Sequence, residues 1–150
     1  IDSDRIYVIG HSLGGQGTWL SIWNRPDYFA AAIPSAGAGF PEGWHIKLDP
    51  KYDKIDYSKF KDVPVWAFHS DDDATIPVDK SRSIFDALKK VQGNMKYTEV
   101  SKAGHAAYKY AYNYDGDSSS GYKTELAGPK CDTTENVWDW LFSKSLNNRK

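Results

Sequence analysis

Short β-branched and aromatic runs alternate along this chain with longer stretches whose apolar residues recur at helical spacing. RIYVI, Arg5 to Ile9, reads as a buried strand, and Gln16 to Trp23 as a helix with Trp19, Leu20 and Trp23 on one side. NRPDYF turns the chain, and FAAAI, Phe29 to Ile33, is the next expected strand. Ser35 to Pro50 holds too many turn residues for a regular element and reads as the kind of irregular loop that often borders a site. A third strand is predicted over Val63 to Phe68, then a helix from about Asp79 to Val91 that aligns Ile84, Leu88 and Val91, with Gly93 as its stop. Met95 to Val100 is the fourth strand, His105 to Asn113 a short helix, and Tyr114 to Lys130 an inserted Gly/Ser-rich loop. Asp132, followed three residues later by Glu135, has the form of a capping box opening a last helix through Val137, Leu141 and Leu146.

Strands separated by helices, without repeats or heptads, predict an α/β fold: about four parallel strands with flanking helices. A length of 150 residues allows one domain. With 19 Lys+Arg against 20 Asp+Glu there is no cationic surplus to draw phosphate, so nucleic acid is not an expected partner. No apolar run reaches the roughly 18 residues a spanning helix needs, which excludes a transmembrane role. One cysteine, Cys131, excludes an internal disulfide. IDSDRIYVIG has neither a basic nor an apolar segment before a cleavage site, so no targeting peptide is expected there.

Candidate chemistry begins at GHSLGG, Gly10 to Gly15, between a predicted strand and a predicted helix. A G-x-S-x-G turn forces Ser12 into a tight bend that small neighbours, Gly10 and Gly14, accommodate, and it aims the Leu13 N–H at a reacting carbonyl oxygen. A glycine-rich turn that merely packs closely or holds a phosphate is the plain alternative. A serine nucleophile needs a base, and the histidines are His11, His45, His69 and His105. His105 follows the fourth strand and can reach Ser12 across the strand tops. His11 should point away from Ser12, His69 should hydrogen-bond locally, and His45 lies in the irregular loop. The acid that orients the base is sought in Asp71-Asp72-Asp73, where repulsion should send two carboxylates into solvent and draw one to a histidine. A surface acidic loop or a metal site is the alternative there. Asp115, Asp117 and Ser119 mimic part of a calcium loop, but Gly121 is out of register and no metal is expected.

The order Ser12, Asp, His105 is that of the α/β-hydrolase triad. The segments RIYVIGHSLGGQGTW, RPDYFAAAIPSAGAG, KDVPVWAFHSDDDATIPV and GHAAYKYAY resemble the carboxylesterase, feruloyl-esterase and "predicted peptidase" branch of that superfamily, related to dienelactone hydrolase-like enzymes. The family motif H-G-x-x-D-x-x-V-P maps onto His69, Ser70, Asp73, Ile76 and Pro77. That selects Asp73 as the acid, with Ser70 standing where the family has glycine. The resemblance implies a serine ester hydrolase that works through an acyl-enzyme without a cofactor. Its substrate would be an ester, acyl or feruloyl, carried in one version on a polysaccharide, and a secreted or periplasmic setting follows from the same relatives.

The family's sheet has strands ahead of the nucleophile, so the resemblance further implies that this sequence is the C-terminal half of an esterase. The second oxyanion donor would then lie outside it, and the fragment alone could be inactive. The first strand would become an edge, where several apolar side chains worth ~1.5–3 kcal/mol each when buried would recruit a partner, either the missing N-terminal half or a second copy. Six Trp and ten Tyr are many for this length. Most fall on core positions, leaving Trp44 and Tyr108 as substrate-binding candidates. The rival readings are a serine peptidase of prolyl-oligopeptidase type and a non-catalytic glycan-binding or assembly domain.

Overall fold

Side chains on successive strand residues point to opposite faces, and that alternation divides the core in two. The computed structural model describes residues 1–40, 54–117 and 121–149. Its strands are β1 (Tyr7–His11), β2 (Ala31–Ser35), β3 (Val65–Ser70), β4 (Met95–Val100) and β5 (Tyr122–Leu126), paired in that order in one sheet. β1 to β4 run parallel, and β5 returns antiparallel to β4. The helices are α1 (Leu13–Asn24), α2 (Asp79–Lys90), α3 (Ala107–Ala111) and α4 (Val137–Phe142).

On one face Ala32, Val65, Ala67, Met95 and Tyr97 pack against Trp19 and Ile22 of α1 and Ile84, Phe85 and Leu88 of α2. On the other face Ala31, Ile33, Trp66 and Phe68 meet Ala111 of α3 and Val137, Trp140 and Leu141 of α4. β2 and β3 are buried at every position, which is why their sequences read as continuous apolar runs. Polar residues on β4 are satisfied within this second layer. Trp66 Nε1 donates to Thr98 Oγ1 at 2.9 Å, and Lys96 Nζ lies 3.6 Å from the Trp66 ring centre while donating to the Thr134 carbonyl. Burial brings the Lys96 ammonium down to about 8.

The first three strands each begin and end two residues later than expected, the short helix expected over His105 to Asn113 is α3 at Ala107–Ala111, and three further departures are larger. A fifth strand, β5, occupies the stretch expected to be loop. Its sequence, YKTEL, alternates Tyr122, Thr124 and Leu126 with Lys123 and Glu125, a pattern too short to stand out from the Gly/Ser-rich stretch around it; main-chain pairing with β4, the Thr98–Thr124 hydroxyl contact at 2.7 Å and packing of Tyr122 against Tyr114 hold it. The capping box does not form. Asp132 accepts the Thr134 N–H and pairs with Lys144, whereas Asn136 caps α4 by accepting from the Trp138 and Asp139 N–H groups, both at 3.0 Å. α4 therefore starts at Val137 and ends at Phe142, short of Leu146. Finally, α1 begins at Leu13, immediately after the strand, rather than at Gln16.

Candidate active site

β1 ends at His11 and α1 starts at Leu13, which leaves Ser12 alone in the bend at φ 56°, ψ −117°. A non-glycine residue held there stores ~1–3 kcal/mol, which the surroundings must enforce. The Ser12 N–H donates to the Ser35 carbonyl at 2.9 Å, and the Ser12 carbonyl accepts from Gln16 N–H at 3.0 Å. A Cβ on Gly10 would stand 2.1 Å from the Gly14 carbonyl oxygen, and one on Gly15 2.6 Å from that of Ser35. A Cβ on Gly14 meets nothing within 4 Å. The close approach thus requires Gly10 and Gly15, not the Gly10 and Gly14 expected, because Gly14 faces outward while Gly15 lies against the end of β2. Leu13 is the first helical residue and no side chain caps that turn, so the α1 N-terminus presents its N–H groups and partial positive charge beside Ser12.

The loops after β3 and β4 meet this bend. His105 Nε2 lies 2.8 Å from Ser12 Oγ, and His105 Nδ1 lies 2.8 Å from Asp73 Oδ2. The Asp73 carboxylate is buried, and its Oδ1 accepts the Thr75 and Ile76 N–H groups, each at 2.9 Å. Burial, the largest influence, would raise this carboxyl. The hydrogen bonds from His105, Ile76 and Thr75 together outweigh it and hold Asp73 below the usual carboxylate range. The three residues singled out in the sequence are therefore in one hydrogen-bonded line at the C-terminal ends of the parallel strands.

The two other described histidines, His69 and His11, each have a definite place. His69 is fully buried and bonds locally: Nε2 to the Ile76 carbonyl at 2.9 Å and Nδ1 to Ser81 Oγ at 2.7 Å. A carbonyl only accepts, so Nε2 carries the proton and Ser81 donates to Nδ1. Burial lowers the His69 pKa, keeping it neutral beneath the Asp73 turn. His11, on β1, packs its ring 4.9 Å from that of His105 and 4.6 Å from that of Tyr108, so it supports the imidazole instead of standing apart. Tyr108, on α3, is half-buried at the rim. Trp44 and His45 lie outside the described residues.

In the acid run Asp73 is the carboxylate drawn to a histidine, and its two neighbours are exposed. Asp71 and Asp72 are exposed but do not hang in solvent; both accept backbone N–H groups from the histidine loop. Nothing in the sequence pattern signals those bonds, since their partners lie some thirty residues away. Among the described residues no group of His, Cys, Asp and Glu is arranged to hold a metal ion.

The sequence profile of the prolyl oligopeptidase family matches residues 1–120. The chain belongs to that family. Prolyl oligopeptidase-family membership agrees with the fold, which is a piece of the α/β-hydrolase architecture. A thermostable esterase of known structure superposes with a TM-score of 0.68 and 31% identity, covering 97% of this chain and 32% of that one. Est1E from Butyrivibrio proteoclasticus shares the fold at a TM-score of 0.51 and 22% identity, over 71% of this chain and 55% of that one. An uncharacterized secreted protein of Arthroderma benhamiae is 33% identical, over 70% of this chain and 13% of its own length. The chain thus spans a minor part of its curated relative and about a third of the esterase. No described helix is long and apolar enough to cross a membrane.

Proposed function

We propose that this chain carries the Ser12–His105–Asp73 triad of a serine-dependent carboxylic ester hydrolase. The observation that carries this reading is the relay itself: 2.8 Å from hydroxyl to imidazole and 2.8 Å from imidazole to a buried carboxylate. Ser12 Oγ attacks the acyl carbonyl while its proton passes to His105 Nε2, and Asp73 keeps the Nδ1 proton and steadies the imidazolium. The imidazolium then protonates the leaving alcohol. Water, deprotonated by the same nitrogen, breaks the Ser12 acyl ester and restores the hydroxyl. No cofactor enters these steps. The Leu13 N–H serves the oxyanion, and Tyr108 stands against His11, whose ring packs on His105, where a bound acyl or alcohol group would touch it.

Among the described residues one edge of β1 is paired, and Ile9 and Leu13 beside that bend are exposed. That supports an upstream segment, or a second copy, completing the sheet and supplying the second oxyanion donor. Loss of one such donor typically costs ~10²–10³ in rate, so the segment would govern activity. Esters carried on polysaccharides outside the cell are the substrate class this reading favours; the secreted Arthroderma relative supports the location.

Membership of the prolyl oligopeptidase family favours a second reading, a serine peptidase. The HSLGG elbow and the likeness to a thermostable esterase favour the first. Turnover of p-nitrophenyl acyl esters against aminoacyl anilides by the intact protein separates them. Ester turnover that disappears in Ser12→Ala supports the esterase; anilide turnover that disappears instead supports the peptidase, and ester turnover unchanged in Ser12→Ala removes the triad reading.

A further inference from the structure

Ser70 stands where the resembling families carry glycine, and its hydroxyl is put to use. The residue is fully buried; Ser70 Oγ donates to Asp72 Oδ1 at 2.7 Å and accepts the Ala103 N–H at 2.8 Å. The same Asp72 oxygen accepts the Gly104 N–H at 2.7 Å. Asp71 accepts the Lys102 N–H at 2.8 Å and the Ser101 hydroxyl at 2.9 Å. Three successive backbone N–H groups, those of Lys102, Ala103 and Gly104, are thus each held by a side chain from residues 70 to 72. The next residue is His105, held by Asp73.

The loop so held is not one that relaxes into place. Lys102 at φ 57° and Gly104 at φ 54° are both left-handed, and for the lysine that conformation is strained. A short loop of this kind keeps one geometry only when its N–H groups have fixed acceptors. The hydrogen bonds from Ser70 and Gly104 hold the Asp72 carboxyl below its usual range, in that order of influence, so it is an anionic acceptor.

We infer that Ser70 and Asp72 are positioning residues for His105: together they clamp the Ala103–Gly104 backbone so that the imidazole sits within proton-transfer reach of Ser12. This rests on the triad reading and adds to it residues that never touch substrate. Misplacing a reacting group by about 1 Å can cost ~10²-fold in rate, so the clamp acts on the chemical step and not on substrate binding.

The test compares wild type, Asp72→Ala, Asp72→Asn and Ser70→Gly in the intact protein. Three readouts are taken: the rate of Ser12 labelling by a fluorophosphonate, kcat and KM on a p-nitrophenyl ester, and amide hydrogen exchange over residues 101 to 105. Asp72→Ala and Ser70→Gly are expected to slow labelling and lower kcat by about ten- to a hundredfold with KM within about twofold. Their loop amides are expected to exchange at least about tenfold faster. Asp72→Asn keeps an oxygen able to accept from both Gly104 and Ser70, so it recovers most of the rate. Labelling at the wild-type rate in Asp72→Ala, an equal loss in Asp72→Asn, or a change confined to KM each overturns the clamp. A wild type whose Ser12 takes no label overturns the triad reading instead, and unchanged exchange in Asp72→Ala then overturns the clamp separately.

Discussion

The ring of His11 lies 4.9 Å from that of His105, with the His11 Nδ1 buried and, among the described residues, without a hydrogen-bond partner. Two imidazoles this close cannot both be protonated cheaply. Burial first, and then the neighbouring His105, hold the His11 pKa below its ordinary value. The relay thus keeps an uncharged ring against its own base.

Stability follows from the same geometry. His11 and His69 both have pKa values lowered in the fold, chiefly by burial. Between those folded values and the unfolded value of about 6.5, the unfolded chain binds more protons, so stability rises with pH through that window. The contribution is complete above pH ~6.5 and is lost as pH falls below it. Melting temperature is expected to drop from pH 7.5 to pH 5.5, and His11→Phe, which cannot take the proton, should flatten that slope. A slope as steep in His11→Phe as in wild type would assign the acid sensitivity to other groups.

Ser12→Ala removes the nucleophile from a bend that an alanine can occupy as readily as serine. Ester turnover by the intact protein should fall on the order of 10⁶-fold, the scale of a triad nucleophile, while circular dichroism and melting temperature stay near wild type.

Asp73→Asn changes charge with little change in volume. Asp73 Oδ2 accepts from His105 Nδ1, so an amide N–H placed there would favour the wrong imidazole tautomer and leave Nε2 protonated. A loss of kcat near 10⁴-fold is expected, in line with this substitution in serine proteases. Activity that recovers steeply at high pH would identify the tautomer as the cause.

The glycines of GHSLGG should separate by position. Gly10→Ala or Gly15→Ala drives a methyl into backbone at 2.1 or 2.6 Å and should destabilise the chain by about 3 kcal/mol. Gly14→Ala meets open space within a helix and should stabilise it by roughly 0.5–1 kcal/mol. Urea midpoints of the three variants measure this directly, and an equal loss in all three would contradict the geometry.

Whether a feature was legible in the sequence depended on how local its cause is. Ser12 stood out because a strand, a tight turn and a helix follow one another within a few residues, and the turn admits only small neighbours. Which glycines matter was not legible, because the atom that crowds Gly15 belongs to Ser35 on another strand. His105 could be chosen by its place after a strand. Asp73 was picked out of three acids by resemblance to a motif, not by its chemistry. The bonds of Asp71 and Asp72 to the histidine loop left no trace in composition or spacing. β5 is hard to read for a related reason: its alternation of Tyr122, Thr124 and Leu126 with Lys123 and Glu125 spans only five residues, and the β4 pairing that holds it is not local.

The sequence by itself determined the α/β alternation, the order of nucleophile, acid and base, and the sharp bend at Ser12, because each arises from neighbouring residues and their steric limits. Only the tertiary structure decided that residues 70 to 73 grip residues 102 to 105, that His11 backs the imidazole, and that the sheet closes with an antiparallel strand. Those contacts join strands far apart in the chain, and hydrogen-bond partners across such a distance are set by the register of the sheet, which no single segment encodes.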